Sequence, residues 1–312
     1  MRILVTGGAG FIGSNITDSL VESGHEVMVL DDFSSGKREN LNPKAKLVEL
    51  DIRSPEVPGV FASWQPQVLC HHAAQIDVRR SVADPAFDAE VNVVGTLKLL
   101  EACRAAGTRR VLFASTGGAI YGEQDAFPAT ESHATQPLSP YGIAKLSVEH
   151  YLNYYGVVHG FRCTCLRYAN VYGPRQNAHG EAGVVAIFFS KLFGGHKPVI
   201  NGSGEQTRDF VFVKDVARAN VLALEKDLVG AYNVGTGVET SINTLYDSIR
   251  RAAQSSFVAE HVPGKSGEQM RSCLDASALE KATGFRPKTP LDAGIVETAA
   301  HFRKATAASV TG

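Results

Sequence analysis

MRILVTGGAGFIGSNITDSLVESGHEVMVLDD, Met1 to Asp32, decides how the rest of the 312-residue chain is read. Arg2 to Thr6 is a short apolar run, Phe11 to Ser23 carries apolar residues at helical spacing and closes on Gly24, and His25 to Leu30 is a second apolar run. Strand, helix and strand in that order imply parallel strands joined by a right-handed crossover, the unit of a doubly wound α/β sheet. Between the first strand and its helix lies GGAGFIG, Gly7 to Gly13. Glycines in this turn, Gly7, Gly10 and Gly13 among them, let the chain reverse tightly, let backbone N–H groups approach a pyrophosphate, and let helix pack on strand, with the positive helix end facing the anion. Such a turn alone is as often a plain loop. Here it follows a strand, opens a helix, and is answered at the end of the second strand by Asp31, 18 residues beyond Gly13. A carboxylate there accepts hydrogen bonds from ribose hydroxyls and repels a 2′-phosphate, which selects NAD over NADP; Asp32 adds to the repulsion. Lys37 and Arg38 come after the strand end and read as solvated.

Composition narrows the class. The length suits one large domain with a smaller companion, and 44% apolar residues is ordinary for a soluble globular protein. With 31 basic and 32 acidic residues interspersed, the chain has no global field to gather nucleic acid or anionic membrane. The first apolar run stops at Thr6-Gly7-Gly8, so it reads as neither signal peptide nor anchor, and a cytoplasmic protein is expected. Five cysteines, with Cys163 and Cys165 one residue apart on an expected strand, match neither a zinc ribbon nor a CxxC redox pair. Adjacent His71 and His72 on a strand point to opposite faces, so no metal site is expected.

Further strands are expected at Lys46 to Leu50, Gln67 to His71 and Arg110 to Ala114, with a long helix from about Ala83 to Ala105. Each strand end presents side chains where parallel sheets bind ligands. Asp51-Ile52 offers an acid and an apolar residue to flank an adenine, and Ala73 and Ala74 let a cofactor lie against backbone. Ser115-Thr116 puts two hydroxyls beside the next motif, Tyr141-Gly-Ile-Ala-Lys145. Positions four apart on a helix share a face, so the Lys145 ammonium can sit by the Tyr141 phenol and favour its ionised form. An oxidised nicotinamide, also a cation, acts in the same direction. Taken alone, this Tyr–Lys spacing is a frequent accident on exposed helices; its company gives it weight.

The glycine-rich turn, the acid after the second strand, His-x-Ala-Ala-Gln, the Ser/Thr pair and YxxxK together resemble the extended short-chain dehydrogenase/reductases. More narrowly, STGGAIYGE (Ser115 to Glu123), YGIAK, LRYANVYGPRQ (Leu166 to Gln176), HGEAGVVAIF (His179 to Phe188) and RDFVFVKDV (Arg208 to Val216) look like bacterial UDP-glucose 4-epimerases, from Met1 to about Phe302. The resemblance implies Tyr141 as base, Lys145 as its activator and ribose ligand, and Thr116 as the hydroxyl that binds the sugar. Thr116 lies five residues before Tyr121 where many relatives have four, so Ser115 is a second candidate. It further implies that Phe11, Ile12, Asp31, Asp32, Ser35, Gly36, Asp51, Ile52, Ala73, Ala74, Gln75 and Asn92 line a tightly bound NAD, with Ala169 near the nicotinamide. Asn170, Val184, Val185, Arg208 and Lys265 are implied for the nucleotide sugar.

Two departures stand out against the resemblance. Lys265 replaces a common arginine and cannot make a bidentate contact, so either a weaker hold on the diphosphate or a contact from Arg271 is expected. Ser272 stands where some relatives carry a bulky Tyr, so some tolerance of N-acetylated sugars is expected. Residues 1–168 are expected to bind NAD, with later segments returning to that sheet, and 169–312 mostly to bind a UDP-sugar. The expected reaction is C4 epimerisation of UDP-glucose and UDP-galactose, UDP-GlcNAc or UDP-glucuronate being alternatives. A dehydratase is disfavoured because Gly117-Gly118 stands where such enzymes carry Asp-Glu. An ordinary reductase would consume added cofactor, and a silent NAD-binding sensor would not need Tyr141 and Lys145. Homodimerisation through the helices near Ala83 to Ala105 and Pro140 to Tyr155 is implied by the resemblance.

Overall fold

The computed structural model describes residues 1–177, 183–264 and 269–311, with side chains to residue 306. Successive residues of a strand point to opposite faces, and in the first strand that alternation feeds two cores. Ile3 and Val5 enter one core and Leu4 another, all three fully buried, so both faces need a helical layer. The chain supplies β1 (Arg2–Thr6), α1 (Phe11–Glu22), β2 (Glu26–Asp31), β3 (Lys46–Glu49), α2 (Val57–Trp64), β4 (Val68–His71), α3 (Val78–Ala83), α4 (Pro85–Ala89), α5 (Gly95–Ala106), β5 (Arg110–Thr116), α6 (Gly117–Ile120), α7 (Pro140–His159) and β6 (Arg162–Tyr168). Thereafter come β7 (Asn170–Tyr172), α8 (Val184–Phe193), β8 (Val199–Asn201), β9 (Thr207–Phe212), α9 (Val213–Glu225), β10 (Gly230–Val234), β11 (Glu239–Ser241), α10 (Ile242–Ala253), β12 (Glu260–Val262), α11 (Ser277–Thr283) and α12 (Leu291–Thr311).

The main sheet runs β3-β2-β1-β4-β5-β6-β10, parallel throughout. This is the doubly wound sheet expected from Met1 to Asp32. Ile16 and Leu20 of α1 and Val216 and Ala217 of α9 cover one face; Phe61 of α2, Leu99 of α5 and Leu152 of α7 cover the other. Each of these side chains other than Ala217 contributes about 1.5–3 kcal/mol on burial. Chain progression reverses between β1 and β4, which opens a crevice at the carboxyl ends of the strands. Both α9 and β10 lie beyond residue 169 and pack with this sheet. The remaining elements form a second core, in which Phe188 and Phe189 of α8, Phe210 and Phe212 of β9, Leu245 and Ile249 of α10, and Ile295 of α12 meet.

One expected element starts later and is irregular. The helix expected from about Ala83 to Ala105 begins at Pro85, where Asp84 caps it by accepting from the Phe87 N–H at 3.0 Å, and runs to Ala106 through a π-turn at Glu90–Val94. Proline biases the residue before it away from helical backbone, and apolar spacing carries no sign of that. Asn92 lies in the π-turn and is buried.

Candidate active site

At the crevice, Gly7 has φ +68°, and a Cβ there would lie 2.7 Å from the Ala73 nitrogen; one on Gly13 would lie 2.2 Å from the Gly7 carbonyl oxygen. Only glycine permits so close an approach of turn, helix and strand end. Gly10 is the N-cap of α1, and no side chain caps it, so first-turn N–H groups stay available for a phosphate. The donors and the cradle fit a dinucleotide pyrophosphate, with Phe11 and Ile12 on the cavity wall.

The acids do more structural work than their positions suggested. Asp31, buried, accepts from the Ala9 N–H at 2.8 Å and from the Phe33 N–H at 2.9 Å, which clamps the glycine turn to the loop after β2. Burial raises its pKa while those two bonds oppose the rise. Gly36 sits against it, since a Cβ there would be 2.8 Å from Asp31 Oδ1. Asp32 accepts from the Ser34 N–H and hydroxyl, and Ser35 is exposed. Lys37 pairs with Glu39 and Arg38 with Glu49, an arrangement that gives no sign of a 2′-phosphate site. Asp51 is bound to Arg53 at 2.6 Å, and Ile52 is buried beneath Gly95. Gln75 and Asn92 hold the Ala73–Gln75 loop: Asn92 accepts from the Gln75 N–H and donates to the Gln75 carbonyl, each at 2.9 Å, and Asp88 Oδ1 accepts from both side chains.

Ser139 caps α7 by accepting from the Gly142 N–H, and Pro140 opens it. That start phases the helix so that Tyr141 and Lys145 share a face. Lys145 Nζ lies 5.8 Å from the Tyr141 ring centroid and 4.7 Å from that of Phe113, and it donates to the Ala114 carbonyl at 2.9 Å. Burial pulls the Lys145 ammonium down to about 8, with Asp88 opposing. Burial likewise pushes the Tyr141 phenol up, Asp88 adding to it. The expected activation of Tyr141 by Lys145 is therefore outweighed by burial in the protein by itself. Thr116 and Tyr141 both face the cavity. Ser115 borders the cavity too, but its hydroxyl proton is donated to Glu149 at 2.5 Å.

A cleft of about 620 Å³ opens from these groups toward the second core, a size suited to a compact ligand. Ala169, Asn170, Val184, Val185 and Arg208 line it; Arg208 also donates to the Thr207 carbonyl at 2.8 Å. Arg271 does not line it: it forms a two-pronged pair with Glu239 and stacks 3.7 Å above Phe127, because a carboxylate and a ring lie nearer than the cleft. Ser272 is 2% exposed and also absent from the wall. Lys265 falls outside the described residues. Sequence reasoning missed Ile76, Arg79, Tyr168, Gln176, Asn201 and Gln206, all on the wall. Tyr168 and Gln176 stand inside LRYANVYGPRQ; the other four carry no local signal that separates them from solvated loop or helix faces. Among the described residues, no group of His, Cys, Asp or Glu could hold a metal ion.

Fold and site together define a Rossmann-type dinucleotide-binding protein with a Tyr–Lys–Thr centre over a ligand cleft. The chain belongs to the NAD dependent epimerase/dehydratase family, whose model matches residues 3–235. It is 46% identical to UDP-glucose 4-epimerase of Mycolicibacterium smegmatis over 309 residues, 97% of this chain and 99% of the relative. The solved UDP-glucose 4-epimerase of Thermotoga maritima, a complex with UDP-glucose, superposes with TM-score 0.94 at 44% identity, covering 98% of this chain and 99% of that one. The Thermus thermophilus UDP-glucose 4-epimerase, a complex with NAD, gives 0.93 at 44% identity over 98% and 100%.

Proposed function

We propose that the protein is an NAD-dependent isomerase that interconverts UDP-glucose and UDP-galactose by inverting C4 of the sugar. The observation that carries this reading is the placement of Tyr141, Thr116 and Arg208 on one cleft beside the glycine cradle. NAD, when bound, supplies the acceptor and donor of the C4 hydride and, oxidised, a positive ring that favours ionised Tyr141. Gly7, Gly10, Gly13, Phe11 and Ile12 hold its pyrophosphate end, with Asp31 at the ribose.

Tyr141 takes the proton of the sugar's 4-hydroxyl and returns it to the same oxygen once the 4-keto sugar has turned its opposite face to the cofactor. Thr116 aligns that oxygen by a hydrogen bond. Lys145 steadies the ionised phenol. Arg208 grips the diphosphate with a planar fork. Val184 and Val185 meet the ligand with apolar surface, which lets the sugar turn while the nucleotide stays fixed. No acid follows Thr116: Gly117 packs on Leu274, and a Cβ on Gly118 would meet no side-chain acid. An elimination at C5–C6 would lack its proton donor, which disfavours dehydration.

Residues 1–168 with α9 and β10 hold the cofactor in this reading, and most of 169–312 holds the UDP-sugar. A homodimer through α7 and the α3–α5 segment accounts for Ile143, Tyr151, Tyr154 and Val157, all exposed on one helix. The protein works in the cytoplasm; all five cysteines are free and buried, and no helix among the described residues is long and apolar enough to cross a membrane. Purified protein incubated with UDP-galactose, UDP-GlcNAc and UDP-glucuronate without added NAD, followed by NMR, tests the reading. C4 epimers of UDP-galactose are expected; turnover confined to either other sugar moves the assignment to that substrate, and stoichiometric consumption of added NADH points to a reductase.

A further inference from the structure

Behind the site lies a buried ion pair. Arg167 of β6 holds Glu149 of α7 through Nε at 3.1 Å and Nη2 at 2.6 Å, with both side chains more than nine-tenths buried. Glu149 accepts from the Ser115 hydroxyl at 2.5 Å, and Arg167 Nη1 donates to the Tyr121 hydroxyl at 2.9 Å. The Tyr121 hydroxyl in turn donates to Asn233 of β10 at 2.8 Å. Removing two charges from water is unfavourable, and apolar replacements of such pairs are often neutral or stabilising. Stability alone is therefore a weak reason for this pair. Its location supplies a better one. Tyr141, Lys145 and Glu149 are spaced four apart on one face of α7, while Ala114, Ser115 and Thr116 are consecutive on β5. Lys145 is tied to the Ala114 carbonyl and Glu149 to the Ser115 hydroxyl, and Ser115 pairs in register with Arg167. Two ties fix both the rotation and the axial position of α7 on β5, and those coordinates set where the Tyr141 hydroxyl meets Thr116.

We propose that Glu149, held by Arg167 and Ser115, is a positioning residue that sets the register between the Tyr141–Lys145 helix and Thr116. This deepens the epimerase reading and rests on it for its kinetic arm. Ser115 thereby passes from candidate catalytic hydroxyl to part of the device. A displacement approaching an ångström between base and substrate lowers turnover by up to about 100-fold.

The test uses the NAD-loaded enzyme and the variants Glu149→Gln and Ser115→Ala, the second leaving the ion pair intact in case the first fails to fold. The expected result is a fall in kcat of about 30-fold for E149Q and about 5-fold for S115A, with KM for the UDP-sugar and NAD content unchanged. The double variant should be no worse than E149Q, since one tie is then already lost. A second readout needs no substrate: ¹³C NMR titration of ring-labelled Tyr141 in the same proteins. Its ionisation should move to higher pH in E149Q by about one unit as the Lys145 cation recedes. Unchanged kcat in both variants with only a lower Tm would reduce the pair to a structural brace and overturn the proposal. A raised KM in S115A with E149Q near wild type would return Ser115 to the sugar, also overturning it. Wild-type protein inert toward every UDP-sugar sinks the epimerase reading instead, and the Tyr141 titration then decides positioning alone: a shift in E149Q upholds it, none overturns it.

Discussion

Lys145→Met separates what burial costs the fold from what the ammonium does for the site. Burial pulls the Lys145 ammonium from an ordinary 10.5 down to about 8, a displacement that corresponds to about 3 kcal/mol. The sign comes from proton binding. Between about 8 and 10.5 the unfolded chain keeps a proton that the folded chain has released, so the stability contributed by this group rises with pH across that window; below it the whole penalty is present. Methionine fills the space of the lysine stem without a charge. It also removes the 2.9 Å hydrogen bond to the Ala114 carbonyl, a loss of about 1 kcal/mol. Nucleotide-free K145M is therefore expected to be about 2 kcal/mol more stable than wild type near neutral pH, a gap that narrows in alkali as wild-type Lys145 loses its charge. Turnover should be lost at the same time. Urea unfolding followed by circular dichroism, on both proteins at about pH 7 and about pH 9.5, reads the difference, and equal m-values make the comparison direct. A variant no more stable than wild type at neutral pH, or a gap that is the same at both, refutes the view that Lys145 is held charged against its burial.

Tyr141→Phe should lower kcat by about 10²–10⁴-fold while NAD content and Tm stay at wild-type values; turnover within tenfold of wild type would remove Tyr141 as the base. Thr116→Val should lower kcat by about 100-fold, because the 4-oxygen loses its hydrogen-bond partner at no loss of volume, and an unaffected rate would exclude Thr116. In Gly13→Ala the new methyl meets the Gly7 carbonyl oxygen at 2.2 Å, so α1 must move; loss of copurified NAD and a stability drop of about 2–3 kcal/mol are expected, and full NAD occupancy would show that the turn can yield. Arg208→Lys should weaken UDP binding about tenfold in calorimetry with kcat little changed, whereas unaltered affinity would place the diphosphate elsewhere.

Much of this could be read along the chain. The Gly7–Gly13 turn, Asp31, the strand ends and the Tyr141–Lys145 spacing are local features, and their meaning comes from strand alternation, helical periodicity and the backbone freedom of glycine. Ser115 and Thr116 were visible as a pair but not separable, since adjacent residues at a strand end differ only in what packs against them. Tertiary structure places both on the cleft and distinguishes them by bringing Glu149 to the Ser115 hydroxyl. The same holds for Arg271, drawn off by Glu239 and Phe127, and for the helix through Asn92, whose π-turn apolar spacing does not reveal. Order along the backbone thus determined the doubly wound sheet, the NAD cradle and the placement of Tyr141 and Lys145 on one helix face, because those depend on repeat spacing and on single residues. Which hydroxyl is tied to a buried carboxylate, which arginine reaches the cleft, and that burial lowers the Lys145 pKa were decided only by packing, because each depends on partners remote in sequence.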